Sequence, residues 1–347
     1  MIRFLLTLFI CINILPTSIF VESSGDECGK TAECKLLKDC PEIYKKFSFL
    51  PKKHYCRVDE SSVNVCCPVP PQPYVAKKDD EIRIVRECKS YQNIRKKCDK
   101  SLIVGGENAD PKEFPFMAMI MYVNGIQRSI LCGGTLVSKK HVITAAHCFC
   151  VENEPNVVRL GELDYTRTND DADPVDFSIE SYKIHEEYNY NTKFHDIAVV
   201  LLNETVKFND YIAPACLPLV DGRNFTQFMA CGYGTLKDFG KMATHLQKVK
   251  LDNFNDTTCL SRIDTNVSLN TTIQMCAGSF YHEKDTCSGD SGGPLFVDHP
   301  DYRCLFLVLG VTSYGEGGCG NKRSAAFYTR VSAHVEWIEK IVWPEDD

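Results

Sequence analysis

The chain has 347 residues, 44% of them apolar, so it is long enough for more than one domain and apolar enough to bury a core. Its formal net charge of -7 offers no basic field to a phosphate backbone, and a nucleic-acid-binding role therefore has no electrostatic support. Its 19 cysteines favour an exported protein with disulfide bonds.

Residues 1–22 have the pattern of a secretory signal peptide. Arg3 precedes an apolar run from Phe4 to Leu15. The run is too short for a transmembrane helix and the sequence has no second long apolar run, so no membrane span is predicted. We predict a secreted, extracellular protein. Removal of the segment takes Cys11 with it, which leaves an even number of cysteines for disulfides.

Residues 28–67 form a compact block with six cysteines. They are Cys28, Cys34, Cys40, Cys56, Cys66 and Cys67. A segment of this size buries little apolar surface, so crosslinks must supply part of its stability. Six cysteines allow fifteen pairings, and the residues alone do not choose among them. The block is either a stable N-terminal cap or a module that docks on a partner or surface, and we favour the second interpretation.

Residues 68–102 are predicted to link this block to the rest of the chain. Four prolines between Pro68 and Pro73 exclude helix and central strand, and they favour an extended spacer. From Lys77 to Lys100 charged residues dominate, and we favour a solvated, exposed segment over a basic docking site. Exposure matters because a protease must reach this segment to cut it.

The part of the chain from Ile103 onwards is predicted to be rich in short strands. Runs such as residues 116–122 and 196–202 alternate with turn-rich segments, which suits antiparallel barrels whose loops hold a site between them. Residues 332–343 are predicted to form a closing helix, because apolar residues recur there at helical spacing and Pro344 ends the pattern.

Three short motifs carry the residue types of nucleophilic catalysis. They are Thr144-Ala-Ala-His147-Cys148, His195-Asp196-Ile197-Ala198 and Asp285-Thr-Cys-Ser-Gly-Asp-Ser291-Gly-Gly-Pro294. A serine hydroxyl is a weak nucleophile until a neighbouring base takes its proton. Gly292 and Gly293 leave the Ser291 hydroxyl open, and Gly289 permits a turn that points two N–H groups at one oxyanion. Singly, each motif has an ordinary structural explanation. Their order of His, Asp and Ser is that of the chymotrypsin arrangement.

From Ile103 to about Pro344, these motifs resemble the chymotrypsin-fold (S1) serine proteases. The resemblance implies an all-β fold of two antiparallel six-stranded barrels with a C-terminal helix, in a protease domain of residues 103–347. It implies a serine endopeptidase in which Ser291 attacks the scissile carbonyl, His147 is the general base and then the acid, and Asp196 orients the imidazole. The N–H groups of Gly289 and Ser291 would form the oxyanion hole.

The spacing in the six-cysteine block resembles the clip domain found before arthropod serine proteases. That resemblance implies the pairs Cys28–Cys66, Cys34–Cys56 and Cys40–Cys67. In the protease domain it implies Cys132–Cys148, Cys259–Cys276, Cys287–Cys319 and a tether Cys98–Cys216. Three pairings remain open for Cys88, Cys150, Cys231 and Cys304. Resemblance to clip proteases with a second linker cysteine favours Cys88–Cys304.

The sequence Ile103-Val-Gly-Gly106 resembles the amino terminus that such proteases acquire on activation. In that family the new terminus inserts and pairs with the Asp before the nucleophile, here Asp290. A buried carboxylate needs a buried cation, so a zymogen is predicted that is activated by cleavage between Leu102 and Ile103. The activator would be an upstream protease with a Leu-accepting pocket.

Asp285 lies six residues before Ser291, where trypsin-like enzymes carry the carboxylate that pairs with a substrate Arg or Lys. The walls of this pocket would include Gly315 and Ala326. Ala326 replaces a usual glycine, and its methyl group should narrow the pocket. Ser313 and Gly315 would present backbone groups to the substrate as an added strand.

Surface features include five Asn-x-Ser/Thr sequons, which are candidate glycosylation sites in an exported chain. They begin at Asn203, Asn224, Asn255, Asn266 and Asn270. The acidic loop Asp164–Asp173, which follows Glu162, has oxygen ligands that suit calcium, but we favour a solvated acidic loop. No cofactor is predicted to be required, and no other metal site.

The resemblance implies a trypsin-like protease of an extracellular cascade in innate immunity, of the Toll or melanisation type. Its partners would be the upstream activator, a downstream protease zymogen as substrate, and a serpin as inhibitor. Two alternatives stay open: a binding or regulatory protein that acts through the clip block, and a broadly acting digestive protease. Retention of function by a Ser291→Ala variant would favour the first alternative, and an unselective cleavage profile the second.

Overall fold

The computed structural model describes residues 32–36, 38, 40, 55–58, 63–68, 82–95, 98, 107–235, 240–261, 269–279, 289–316 and 325–344. The chain divides into two compact units, Met1–Pro73 and Tyr74–Asp347. Several predictions fall outside the described residues and stay predictions. They concern the signal peptide, Cys28, the Leu102–Ile103 cleavage site, Asn266, Asp285 and the pair Cys287–Cys319.

The first unit contains a three-stranded antiparallel sheet in the order β1, β3, β2. Its strands are β1 (Ala32–Leu36), β2 (Tyr55–Val58) and β3 (Val63–Pro68). Cys40 is buried and bonded to Cys67 of β3, which is the predicted pair. The other two predicted pairs of this unit involve Cys28 and the side chain of Cys56, which are not described.

The second unit is built on two sheets. Its strands are β4 (Glu107–Asn108), β5 (Met117–Asn124), β6 (Gln127–Leu136), β7 (His141–Thr144), β8 (Val157–Leu160), β9 (Val175–Ile184), β10 (Ala198–Leu202), β11 (Gln227–Gly232), β12 (Gln247–Asn253), β13 (Gln274–Gly278), β14 (Pro294–Asp298), β15 (Phe306–Glu316) and β16 (Ala325–Arg330). Strands β5 to β10 form a closed barrel in the order β10, β7, β6, β5, β8, β9. The other strands run β11, β14, β15, β16, β13, β12, and pairing of β11 with β12 closes them into a second barrel. The predicted pair of six-stranded barrels is confirmed, and β4 extends the second one beside β12.

An aromatic cluster joins the two barrels. The ring of Phe116, which precedes β5, lies 5.0 Å from the rings of both Phe296 on β14 and Phe306 on β15. Phe114 packs edge-on against Phe296 at 5.2 Å. Edge-to-face aromatic packing of this kind is directional as well as apolar. The cluster therefore fixes the position of one barrel against the other, and with it the cleft between them.

The described part of the chain contains three α-helices. They are α1 (Arg83–Ser90), α2 (Asp256–Ser261) and α3 (Val335–Val342). The predicted C-terminal helix is confirmed as α3, although its first turn, Val331–His334, is a 3-10 helix. Val331, Val335, Ile338 and Val342 are all buried, as their spacing predicts.

The segment before the predicted cleavage site is not the solvated linker that its charges suggested. It contains α1, and the side chains of Ile82 and Ile84 are 1% and 2% exposed in the core of the second unit. The hydroxyl of Tyr91 donates a hydrogen bond to the carbonyl of Val137 at 3.1 Å. The Arg83 guanidinium donates to the carbonyl of Trp343 at 2.6 Å. The charged residues occupy one face of a short amphipathic helix, and the few apolar ones hold the other face in the core.

This docking changes two disulfides. Cys88 is bonded to Cys216, and Cys98 to Cys304, so the predicted tether Cys98–Cys216 and the favoured pair Cys88–Cys304 were wrong. Cys88 lies on the buried face of α1, in the same apolar cluster as Cys216. The backbone of Cys216 is held beside β15, because its N–H donates to the carbonyl of Phe306 at 2.8 Å. Helical packing therefore brings the earlier cysteine to Cys216, and the later one reaches the turn before β15.

The remaining disulfides of this unit that the structure describes are Cys132–Cys148 and Cys259–Cys276, both of which had been predicted. Two cysteines are free thiols in the described residues, the exposed Cys150 and the buried Cys231. Of the four cysteines whose pairing the sequence left open, Cys88 and Cys304 are in disulfides, and Cys150 and Cys231 are free thiols.

A buried ion pair links the segment between β4 and β5 to strand β12. The Lys248 side chain is 1% exposed, and its ammonium group lies 2.8 Å from the Glu113 carboxylate and 3.3 Å from that of Asp110. Lys248→Met leaves the Glu113 carboxylate buried without its cation, so the free energy of unfolding should fall by about 3 kcal/mol. Urea denaturation followed by fluorescence measures this. The double variant Lys248→Met/Glu113→Leu is the control and should recover most of the loss; a single variant as stable as wild type would contradict the expectation.

Candidate active site

His147 and Asp196 are brought together by the pairing of β7 with β10. His147 lies in the 3-10 helix Ala146–Phe149 just after β7, and Asp196 lies just before β10. The two strands pair so that Thr144 stands opposite Ala198. The Nδ1 atom of His147 lies 2.7 Å from Oδ2 of Asp196, and the His147 backbone N–H donates to Oδ1 at 2.9 Å. The carboxylate therefore holds both the ring and the backbone of His147.

Asp196 is completely buried, and the second barrel supplies two further donors to it. The hydroxyl of Ser313 on β15 donates to Oδ2 at 2.5 Å. The hydroxyl of Thr329 on β16 donates to the backbone carbonyl of Asp196 at 2.8 Å. The Ser313 contact helps to compensate the buried charge, since a buried carboxylate is stable only when its oxygens are hydrogen-bonded. The Thr329 contact holds the backbone of the same residue. The site thus exists only where the two barrels meet.

The Ser313 and Thr329 side chains are positioning groups that sequence reasoning missed. Ser313 was predicted to contribute backbone groups to a substrate, and no role was assigned to Thr329. Hydroxyl residues on strands are common, and only the strand register shows that Ser313 faces the Asp196 carboxylate and Thr329 its backbone carbonyl. The sequence Val311-Thr-Ser-Tyr314 carries no local signal for this contact.

The turn that carries Ser291 packs between the two barrels, and its glycines permit this close packing. Gly292 has a φ of +77°, and a Cβ there would lie 2.1 Å from Oγ1 of Thr144. Its N–H donates to the carbonyl of Thr312 at 2.8 Å, and the carbonyl of Ser291 accepts from the N–H of Gly133 at 2.8 Å. Only glycine fits so close an approach. The fit places Ser291 beside the turn that carries His147.

Gly289 and Asp290 lie against a glycine-containing segment at the end of β11. Gly289 has a φ of +99°, and a Cβ there would approach Cα of Gly234 to 3.1 Å. The Asp290 carboxylate accepts a hydrogen bond from the N–H of Gly234 at 2.9 Å. A Cβ on Gly232 would lie 2.1 Å from Oδ1 of Asp290. Gly232 and Gly234 therefore leave the space that the carboxylate occupies.

The predicted substrate-binding residues lie on β15 and β16, except for Asp285, which is outside the described residues. Gly315 and Ala326 stand opposite each other in the pairing of these strands. Gly315 is exposed, and a Cβ there would lie within 4 Å of no atom of the described residues. Ala326 is 1% exposed and belongs to the same apolar cluster as Tyr328.

The buried charge of Asp196 affects two neighbouring groups. Desolvation by burial raises the pKa of Tyr188, and the negative charge of Asp196 adds to that rise. The same two causes, in the same order, raise the pKa of the Cys150 thiol. A thiol with a raised pKa is a poor nucleophile at neutral pH, because the thiolate is the reactive form. Cys150 lies three residues after His147, but we do not expect its thiol to compete with the Ser291 hydroxyl as the nucleophile.

The carboxylates at the loop that was considered for calcium interact with donor groups of the protein itself. Glu162 accepts from the Arg159 guanidinium at 3.1 Å and from the N–H of Leu163 at 2.9 Å. Asp171 lies 2.8 Å from the Lys112 ammonium. In the described residues, the clusters of side chains close enough to share a metal ion do not include this loop.

The sequons that the structure describes differ in their exposure. Asn203, Asn224 and Asn255 are exposed, and Asn270 is half-buried. The side-chain oxygen of Asn255 accepts from the N–H of Thr258 at 2.8 Å, and that of Asn270 from the Thr272 hydroxyl at 2.6 Å. Asn203 and Asn224 are therefore the most accessible candidates for a glycan.

Of the helices that the structure describes, none has the length and apolar character needed to cross a membrane.

Comparison with known proteins agrees with this geometry. The Trypsin family model matches residues 103–338, which is more than half of the chain. The chain is 31% identical to the proclotting enzyme of Tachypleus tridentatus, over 88% of this chain and 86% of that protein. It is 30% identical to the serine protease snk of Drosophila melanogaster, over 91% and 77%, and 34% identical to phenoloxidase-activating factor 3 of Holotrichia diomphalia, over 92% and 94%. The chain is a serine endopeptidase that belongs to the trypsin family, among the clip-domain serine proteases of arthropods.

Proposed function

We propose that this chain is a secreted zymogen that becomes a protease cleaving after Arg or Lys, and that it acts in an extracellular cascade of innate immunity. The observation that carries the proposal is the buried Asp196 carboxylate, which holds His147 through two hydrogen bonds beside the turn of Ser291. The relatives include proteins named proclotting enzyme, melanization protease 1 and phenoloxidase-activating factor 3. The name melanization protease 1 supports a role in melanisation-type processing, one of the two cascade types proposed.

In the proposed mechanism, His147 takes the proton of Ser291 as the hydroxyl attacks the substrate carbonyl. The Asp196 carboxylate accepts the Nδ1–H of His147, which leaves Nε2 to receive that proton, and it stabilises the imidazolium that forms. The N–H groups of Gly289 and Ser291 would stabilise the oxyanion, at about 3–4 kcal/mol for each donor. His147 then returns the proton to the leaving amine.

The proposed activation step is cleavage between Leu102 and Ile103, which would create an ammonium group for Asp290. The Asp290 carboxylate lies in a space that only glycines leave open, where it accepts the N–H of Gly234. The new ammonium group would add a charge-assisted hydrogen bond to this carboxylate. A change of partner at Asp290 would move Gly289 and Ser291 as well, since these residues are its chain neighbours.

The proposal also specifies the partners of the protease. The activator would accept Leu in its primary pocket, the substrate would be a downstream protease zymogen, and a serpin would be the inhibitor. In this proposal the cysteine block of residues 28–67 is a clip domain that docks on a partner, and residues 68–102 contain the cleavage site. Glycans would occupy the exposed sequons.

The proposal is tested by activation followed by profiling. The full zymogen is treated with trypsin-like and chymotrypsin-like proteases, and the new amino terminus is sequenced. We expect activity to appear together with a terminus at Ile103. Cleavage of a peptide library should then show a narrow preference for Arg or Lys before the cut. Efficient activation with another terminus would contradict the activation step, and broad cleavage would favour a digestive enzyme.

Two substitutions test the specificity. Asp285→Ser should lower kcat/KM for Arg and Lys substrates by about a hundredfold, since a hydrogen bond to a charged group contributes about 1.5–3 kcal/mol. Ala326→Gly is the matched control within the pocket wall; it should keep the preference for basic residues and change only the ratio of Arg to Lys turnover. Equal turnover of basic substrates by the Asp285→Ser variant and wild type would show that this carboxylate is not part of the specificity pocket.

A further inference from the structure

Three histidines that the mechanism does not use form a cluster beside the turn that carries Asp196. They are His185, which follows β9, His195, which precedes Asp196, and His334, at the end of the 3-10 helix before α3. The rings of His185 and His195 are stacked at 4.7 Å, and the ring of His334 is nearly perpendicular to both, at 5.1 and 5.2 Å. This histidine cluster therefore joins the segment before β10 to the segment after β16.

The hydrogen bonds of His334 fix its tautomer. Its Nδ1 lies 2.8 Å from the backbone carbonyl oxygen of Arg330, which can only accept, so Nδ1 carries the proton. Burial lowers the pKa of His334 to about 3, so at pH 7 the ring is neutral and its Nε2 carries no proton. Nδ1 of His195 lies 3.0 Å from this Nε2 and must therefore be the donor. His334 is thus a fixed acceptor for the ring of His195.

The other contacts of the His195 ring do not fix the direction of its nitrogens. One face of the ring stacks on His185, whose Nδ1 accepts the N–H of Glu187 at 3.2 Å. Stacking limits the tilt of a ring but lets it turn in its own plane. Nε2 of His195 lies 3.5 Å from the Glu187 carboxylate, but a ring with its proton on Nδ1 cannot donate there. The contact with His334 therefore orients the ring.

The backbone of His195 is one arm of a tight turn centred on Asp196. The carbonyl of His195 accepts the N–H of Ile197 at 2.8 Å, which closes a three-residue turn. His195 has a φ of +54°, in the left-handed region that residues with a Cβ adopt only rarely. Such a conformation persists only where the surroundings hold it. Because its ring is held by His334, the arm of the turn that precedes Asp196 is held as well.

We propose that His334 is a positioning residue for catalysis: it accepts the hydrogen bond of the His195 ring and so holds the turn that directs the Asp196 carboxylate at His147. The proposal rests on the mechanism proposed above for that carboxylate. The two hydroxyl donors from β15 and β16 hold Asp196 itself, whereas His334 holds the residue before it. Loss of the contact leaves the carboxylate in place but turns it relative to the imidazole, so catalysis slows while substrate binding persists.

The first test removes the acceptor and keeps an aromatic ring. In His334→Phe the buried N–H of His195 loses its partner. We expect kcat of the activated enzyme, per active site titrated with a serine reagent, to fall by about tenfold with little change in KM, as for the loss of one hydrogen bond whose donor stays buried. His334→Gln is the conservative variant. Its side-chain carbonyl can take the place of Nε2, so it should recover most of the rate.

The second test follows the hydrogen bond that His334 is proposed to align. Proton NMR of the activated enzyme should show a far-downfield resonance for the Nδ1–H of His147, which is bonded to the Asp196 carboxylate. His334→Phe should move this resonance upfield, and His334→Gln should restore it. A variant that is only less stable would keep the resonance where it is in the folded enzyme.

A third variant tests whether the two rings act as a unit. His195→Phe removes the donor and keeps the stacked ring, and it provides an independent measurement if His334→Phe does not fold. The double variant His195→Phe/His334→Phe should lose no more activity than either single variant, because all three lack the same contact. His299→Phe alters a half-buried histidine outside the cluster and is the matched control. It should keep the kcat and the resonance of wild type.

The outcomes separate this proposal from the mechanism on which it rests. A large loss in Asp196→Asn, together with wild-type kcat and an unmoved resonance in His334→Phe, would overturn the positioning role alone. Full activity of Asp196→Asn would overturn the mechanism and the positioning role together. Equal losses in His334→Gln and His334→Phe would show that the shape of the imidazole matters and its acceptor does not, which also contradicts the proposal. Additive losses in the double variant would show that His334 does not act through His195.

Discussion

Asp196→Asn should lower kcat of the activated enzyme by about four orders of magnitude, with little change in KM. The substitution is nearly isosteric, so the fold should persist. An amide can present an N–H to Nδ1 of His147, where the wild-type carboxylate accepts at 2.7 Å. The imidazole would then hold its proton on Nε2 and could not accept one from Ser291. Loss of the correct tautomer costs about 10⁴ in kcat in enzymes with this triad.

The matched control for this prediction is Ser313→Ala. It removes the donor at 2.5 Å from Oδ2 of Asp196 but leaves the carboxylate on His147. Loss of one hydrogen bond to a charged group should lower kcat by about 10–150-fold, well short of the Asp196→Asn effect. Both variants are assayed with a chromogenic Arg substrate after activation. Comparable losses in the two variants, or a large change in KM instead of kcat, would show that Asp196 does not act through the tautomer of His147.

The segment before the cut should stay attached to the activated protease through two disulfides. Cys88–Cys216 and Cys98–Cys304 both join residues before Leu102 to residues after it. After complete cleavage at Leu102–Ile103, the wild-type protein should migrate as one band on a denaturing, non-reducing gel. Replacing either pair by serines should leave one band, and replacing both should give two. The same samples run under reducing conditions are the control and should all show two bands.

The pairing itself is checked by mapping. A non-reduced digest should contain a peptide with Cys88 joined to Cys216, and a peptide joining Cys98 to Cys216 would contradict the structure. The variant without both disulfides should still keep its cleaved segment under native conditions. The apolar contacts of Ile82 and Ile84, and the hydrogen bond of Tyr91 to Val137, remain in that variant. Gel filtration of the cleaved double-pair variant measures this retention.

The disulfide correction shows where reasoning from the sequence stops. The resemblance to the protease family implied the pairs Cys132–Cys148 and Cys259–Cys276, which are confirmed and span 16 and 17 residues. The two tether bonds span 128 and 206 residues. Which cysteine reaches which partner over such a distance depends on the packing of α1. The charge pattern concealed this packing, because a short helix needs only a few apolar residues to dock.

The sequence by itself determined the class of fold and the chemistry. The order of His147, Asp196 and Ser291, the glycines around the serine and the helical spacing near the C-terminus are local patterns, and a local pattern can be read without knowing which strands pair. Only the tertiary structure decided what meets Asp196: Ser313 and Thr329, from 117 and 133 residues further along the chain, and the histidine cluster behind it. His195 and His334 are separated by 139 residues. The physical reason is that closure and register of two barrels fix such contacts, and those depend on the packing of the whole core.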